Sequence, residues 1–265
     1  MKIHPLTTGT VRVKHSFLVA GTGIRRQLDL ILPDEWSDPL PIHAWAIEHD
    51  GRLIVVDTGE VATANNVPFA RFDVRPDQEL PHALAGAGLD IGDVDQVVIT
   101  HLHGDHMDGA VHVRGPVLVH DEELAFSRTA GSRFFQKVLR QPIPKAVEFR
   151  ALKLDDGPFG AFDRSKALTS DGRVVVVPTP GHTPGHISVV AIDDAGRHVF
   201  LAGDTTDTLE QLHARRHDAV GPKPAVSVAT IDRILAHARE NQTVYLPSHD
   251  PQSAVRLAAA TIVAA

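Results

Sequence analysis

The chain has 265 residues, a hydrophobic content of 43% and a formal charge of −7, so it carries enough apolar material for a substantial core. It contains no cysteine, which excludes disulfides, thiolate-bound metal and thiol catalysis, and its acidic balance argues against a nucleic-acid partner. No run of 18 apolar residues exists and Met1-Lys2-Ile3-His4-Pro5 lacks a signal-peptide core; a cytoplasmic protein with no membrane partner is expected.

In chain order, short apolar runs bounded by Gly, Pro and Asp predict strands at 42–48 and 52–56, joined through Asp50-Gly51, and a helical pattern follows over 77–87. Strands at 94–100 and 117–120 precede helices at 121–128 and 132–139. Three further strands, 173–177, 187–192 and 198–201, lead to helices at 208–215 and 226–240. A last strand at 243–246 precedes a helix over 250–263. Adjacent strands with short turns favour an α+β arrangement of mixed sheets flanked by helices over a purely parallel array. No linker divides the chain, so one domain spanning 1–265 is expected.

Residues 126–162 form a Phe-rich, basic insert within it. They hold six of the ten phenylalanines, with Arg128, Arg133, Lys137, Arg140, Lys145 and Arg150. Arg133, Lys137 and Arg140 share one helical face, while Phe135 and Leu139 pair on another. The plain reading is an amphipathic surface helix with a solvated basic stripe. The functional readings are a lid over an apolar pocket and a subunit contact in a homodimer.

The chemistry concentrates at His101-Leu102-His103-Gly104-Asp105-His106, four metal-ligating side chains within six positions directly after an apolar run. Imidazole nitrogen and carboxylate oxygen suit Zn²⁺ and similar divalent ions. The run Thr179-Pro180-Gly181-His182-Thr183-Pro184-Gly185-His186 then follows a strand, where Gly and Pro build a rigid turn. Asp204 follows the strand at 198–201, and His249 the strand at 243–246. Each candidate therefore lies at the carboxyl end of a predicted strand, where loops converge.

These residues resemble the ligand signature of the metallo-β-lactamase superfamily, His-x-His-x-Asp-His with later His, Asp and His. The resemblance spans nearly the whole chain and implies a four-layer αββα sandwich with metals at one edge between the sheets. It assigns His101, His103 and His182 to one zinc, and Asp105, His106 and His249 to a second. Asp204 would bridge the two, and Asp57, in Val56-Asp57-Thr58-Gly59, would support the site without binding metal. Two Zn²⁺ are thus the expected cofactors, with Co, Mn or Fe as substitutes. Such a pair can hold a hydroxide and polarise a carbonyl or phosphoryl oxygen. On this resemblance Asp105 and Asp204 would be the catalytic carboxylates, the first moving a proton to the leaving group, the second holding the metals together.

The paired motifs are most similar to the N-acyl-homoserine lactonase group, which implies a small lactone or ester as substrate. One departure stands out: Asp207 occupies a position where those lactonases often carry Tyr. Thioester hydrolysis of the glyoxalase II kind and phosphotriester or phosphodiester hydrolysis use the same ligands and remain alternatives. A non-enzymatic metal-binding module fits a complete ligand set poorly. The other polar singles read as structural: His186 hydrogen-bonded, Asp108 a cap, His43, His112 and His120 in surface or core roles, Tyr245 packed. Gly21-Thr22-Gly23 is too short for a phosphate loop.

Overall fold

The computed structural model describes residues 1–18 and 32–263. Its strands are β1 (Lys2–Val13), β2 (Leu40–His49), β3 (Arg52–Val56), β4 (Ala70–Asp73), β5 (Gln96–Ile99) and β6 (Val117–His120). They continue with β7 (Phe149–Leu152), β8 (Lys166–Ala167), β9 (Val174–Pro178), β10 (Ile187–Ile192), β11 (His198–Gly203) and β12 (Thr243–Pro247). One sheet has the order β4-β1-β2-β3-β5-β6-β7 and the other β12-β11-β10-β9-β8. Both are mixed: β3, β5, β6 and β7 run parallel, as do β11 and β12, while the remaining pairs are antiparallel.

Strand periodicity sorts the side chains into three apolar layers. Trp45, Ile47, Ile54, Val56 and Val98 of the first sheet meet Val174, Val176, Val189, Leu201 and Leu246 of the second in a core between the sheets. The alternate residues Ala44, Ala46, Val55, Val97 and Ile99 face outward onto Leu80 and Leu84 of the helix Leu80–Gly86. On the other side Val175, Val177, Phe200 and Tyr245 pack on Ile231, Ile234 and Leu235 of the helix Pro224–Glu240. Helices on two sheets that are buried on both faces give the αββα sandwich and explain why the strands read as continuous apolar runs.

The strands expected at 52–56, 117–120 and 187–192 have those bounds, and Asp50 and Gly51 both take positive φ at the β2–β3 turn, as a tight hairpin requires. Other expectations change. The 77–87 helix divides into a 3₁₀ turn at Pro76–Gln78 and the helix Leu80–Gly86. The 250–263 helix is only Ser253–Ala259: Ala260 turns left-handed and the Val263 N–H donates to the Thr243 carbonyl. Strands β1, β4, β7 and the two-residue β8 were not expected. In β1 the register shifts between Thr7 and Thr10 around Gly9, which breaks the alternation. Both β4 and β7 are four-residue sheet edges, too short and too exposed to leave a hydrophobic pattern.

Ile54 lies fully buried between the sheets. Ile54→Ala should cost about 2–5 kcal/mol through lost burial and the residual cavity, read as a lower urea midpoint with an unchanged denaturant slope.

Candidate metal centre

Because β3, β5, β9, β11 and β12 end at the same edge of the sandwich, their following residues converge. Residues 101–106 follow β5, residues 179–186 follow β9, Asp204 follows β11 and His249 follows β12. His103 caps a short helix, Gly104–Met107, that carries Asp105 and His106. Donor atoms of His101, His103 and His182 lie within 4.8 Å of one another, as do those of Asp105, His106 and His249. The seven expected residues are therefore brought together, in the two expected groups of three with Asp204 between.

Distances show the division. His103 Nδ1 stands 2.9 Å from both His101 Nε2 and His182 Nε2. Asp204 Oδ2 faces this group, 3.8 Å from His101 Nε2 and 3.5 Å from His182 Nε2. Its Oδ1 faces the other group, 3.2 Å from His106 Nε2 and 3.5 Å from His249 Nε2. Asp105 Oδ2 completes that side, 3.4 Å from His249 Nε2. His103 and Asp105 are partly exposed while the other five are buried, so the site opens on their side.

Partners on the far side of each ring fix its tautomer. His106 Nδ1 donates to Asp57 Oδ2 at 2.8 Å, His182 Nδ1 to Asp218 Oδ2 at 2.6 Å, and His249 Nδ1 to the Pro41 carbonyl at 2.9 Å. In each case Nε2 then presents a lone pair inward. The consequence is acceptor facing acceptor: His106 Nε2 and Asp204 Oδ1 are buried and neither has a hydrogen-bond partner. A pair of inward lone pairs with nothing to donate between them fits a cation.

In the metal-free chain protons take that cation's place on the rings, and the same carboxylates hold them there. Burial disfavours charge on His182, yet the Asp218 carboxylate raises its pKa to about 9. Burial also opposes a charge on His249, but Asp204 carries it to about 9. Asp204, whose burial would raise it, is held well below the usual carboxylate range by His106 and His249. A carboxylate that stays ionised while surrounded by imidazoles is a site built for positive charge.

Asp57 has the supporting place the sequence suggested. It sits at φ 60° after β3, accepts from the Thr100 N–H (2.7 Å) and hydroxyl (2.9 Å), and holds His106. Three contributors were not anticipated. Asp218 lies in a loop of no recognisable pattern; its Oδ1 accepts from the Val220 and Gly221 N–H groups while Oδ2 orients His182. Pro41 is found only through the fold, as β2 runs beside the 248–250 loop. Glu123 is buried on the helix Asp121–Ser127 and joins both ligand loops. Its Oε1 accepts from the Leu102 N–H (3.1 Å), and its Oε2 from the Thr183 hydroxyl (2.7 Å) and the Gly185 N–H (3.1 Å). Gly185 is required there, since a Cβ would lie 2.1 Å from the Glu123 nitrogen.

The remaining singles have other partners. His186 engages both nitrogens, Nδ1 with the Thr179 hydroxyl and Nε2 as acceptor from the Asp204 N–H. His120 binds the Gly185 carbonyl, His112 pairs with Glu79 and His43 with Thr7. Tyr245 is buried with its hydroxyl bonded to those of Thr205 and Thr206. Asp108 lies beside buried Glu60; burial raises both carboxyls, and Glu60, facing the charges of Asp108 and Asp105, keeps its proton. Asp207 is buried with Oδ2 unpartnered, and burial pushes it up to about 7. Gly21-Thr22-Gly23 lies outside the described residues.

The layered sandwich carries at one sheet edge a cluster of His and Asp that could hold metal, as a metal-dependent hydrolase requires. Residues 37–249 match the family model described as the metallo-beta-lactamase superfamily, and the chain belongs to that superfamily. It is 24% identical over 230 residues to an N-acyl homoserine lactonase AttM of Rhizobium radiobacter, covering 81% of this chain and 83% of that protein. It is 32% identical over 234 residues to a hydroxyacylglutathione hydrolase of Cupriavidus taiwanensis, covering 84% and 70%. A solved N-acyl homoserine lactone hydrolase with N-hexanoyl-L-homoserine at its catalytic metal centre superposes with a TM-score of 0.72 at 18% identity, covering 99% of this chain and 97% of that one.

Glu123→Ala would leave three donors of the ligand loops without their carboxylate. A loss on the order of 3 kcal/mol is expected from buried charged hydrogen bonds. Urea denaturation of the metal-free protein measures it, and an unchanged midpoint would show that this tie contributes nothing.

Proposed function

We propose that the chain is a dinuclear zinc hydrolase that opens lactones, with N-acyl-homoserine lactones as the substrate class. The observation that carries the dinuclear reading is Asp204, whose two oxygens face separate three-residue groups and whose Oδ1 is buried without a partner. His101, His103 and His182 would hold one zinc; Asp105, His106 and His249 the other; Asp204 both. When bound, two such ions lower the pKa of water and polarise a carbonyl oxygen. The all-nitrogen and carboxylate donor set suits zinc without any thiolate.

The chain's own residues set the geometry of the reaction. Asp57, Asp218 and the Pro41 carbonyl hold three imidazoles with Nε2 inward, so no ring has to rotate. Asp105 lies on the open side, and its carboxylate takes the proton of the attacking water and returns it to the departing alkoxide. Because both sheets contribute ligands, residues 1–265 act as a single domain. Asp207 stands in place of the usual Tyr, and Tyr245 is not its substitute, since its hydroxyl is already engaged.

Lactone opening is favoured by the AttM similarity across most of both chains. Thioester hydrolysis is the second reading, favoured by the higher identity to the hydroxyacylglutathione hydrolase. A panel on the zinc-loaded protein separates them: acyl-homoserine lactones of several chain lengths, glutathione thioesters, phosphotriesters and phosphodiesters. Lactones should turn over fastest; if they are untouched while thioesters react, the lactonase reading fails and the metal site stands.

His106→Ala and Asp204→Ala should each lower zinc content measured by plasma mass spectrometry and reduce kcat at least about 100-fold. Full activity in a metal-depleted variant would refute the mechanism. Asp218→Asn keeps the shape but weakens the hold on His182, and zinc affinity in a chelator competition should fall about 10–100-fold.

A further inference from the structure

The helix Ala130–Leu139 has no buried residue. Ser132, Gln136 and Leu139 turn toward the body, half-buried, and Leu139 packs against the cluster that contains Phe17, Val67 and Ala70. Phe135, one turn before Leu139 and expected to pair with it, is exposed. Phe134 and Phe135 are each 63% exposed and Val138 is 58% exposed. Beside them Arg133, Lys137 and Arg140 line a groove of about 500 Å³ together with Asn65, Gln136 and Pro142.

The charge around this helix is one-sided. Between Leu124 and Val147 the chain holds five cations, Arg128, Arg133, Lys137, Arg140 and Lys145, and no acid. All five are exposed, and none forms an ion pair among the described residues. The segment's +5 against the chain's −7 leaves −12 on the remainder.

From this arrangement we infer that the helix Ala130–Leu139 is a peripheral docking surface for an anionic lipid bilayer, with Phe134, Phe135 and Val138 entering the acyl boundary and Arg133, Lys137 and Arg140 receiving phosphate headgroups. Adjacent rows of aromatic and basic side chains on one exposed helix are what such an interface requires, and anionic headgroups attract clustered Lys and Arg. A second copy meeting this face across a two-fold axis would bring two +5 segments together, a repulsion that lipid headgroups relieve instead. The chain has no helix long and apolar enough to cross a membrane among its described residues, and lying on one is a different demand. Docking would bring the wall of the metal centre close to the bilayer: the apolar cluster that receives Leu139 also receives Val220, whose N–H donates to Asp218, the partner of His182.

Vesicle co-sedimentation of the zinc-loaded full chain tests this, using phosphatidylcholine with and without phosphatidylglycerol. The protein should bind the anionic vesicles at least about 10-fold better than the neutral ones and be released by salt. Phe134→Ser/Phe135→Ser should reduce binding about 10-fold or more, and Arg133→Gln/Lys137→Gln/Arg140→Gln about 100-fold. Circular dichroism should match the parent in both variants, since every substituted side chain is exposed. Absence of anionic-vesicle binding, or binding that the Phe substitutions leave unchanged, overturns the inference. So does a concentration-dependent doubling of mass in light scattering that Phe134→Ser/Phe135→Ser abolishes, because a second copy then covers the face.

Discussion

Asp204 is an ionised carboxylate buried among four imidazoles, each of which turns its Nε2 toward it. Its Oδ1 is buried without a hydrogen-bond partner, and His106 Nε2 opposite is equally unsatisfied. Two acceptors in that position repel each other unless a proton or a metal ion lies between them, so the polypeptide holds in place an arrangement that demands positive charge. The remaining features of this edge of the sandwich act to keep that arrangement from relaxing: Asp57, Asp218 and Pro41 prevent ring rotation, and His186 fixes the Asp204 backbone.

Such rigidity depends on two sheets packed face to face. The clustered His and Asp side chains come from β5 and its short helix on one side and from the ends of β9, β11 and β12 on the other. A slip of either sheet would separate His101 from His182. The interlocking of Trp45, Ile54 and Val98 with Val176, Val189 and Leu201 opposes that slip through close packing. Nearer the site, Glu123 performs a similar task with polar contacts, holding the 101–106 and 179–186 loops to one helix. The core sets the spacing of the sheets and the buried polar ties set the spacing of the loops.

The 130–139 helix follows a different logic. It packs through few side chains and presents both its aromatic and its basic residues outward. Apolar exposure of that kind opposes solubility unless something covers it. The segregation of positive charge here and negative charge elsewhere indicates the chemistry of the cover, and the shared apolar cluster links the covered surface to the metal centre.

Residue identity and spacing in the sequence determined which side chains could hold a metal. His101, His103, Asp105 and His106 are local in the chain, and their ligand character is a property of the side chains themselves. The long strands were legible for the same reason, since the apolar runs of β2, β3 and β10 are written in consecutive residues. Short edge strands such as β4 and β7 were not, because too few residues carry the pattern, and Gly9 disrupted it in β1. Only the tertiary structure decided how Asp204 divides its oxygens between two groups, and that Asp218, Glu123 and the Pro41 carbonyl orient the ligands. A hydrogen bond between residues 36, 62 or 208 positions apart leaves no periodicity and no motif. It depends on where the folded backbone places a donor and an acceptor, and distance in space is the one quantity a linear sequence does not carry.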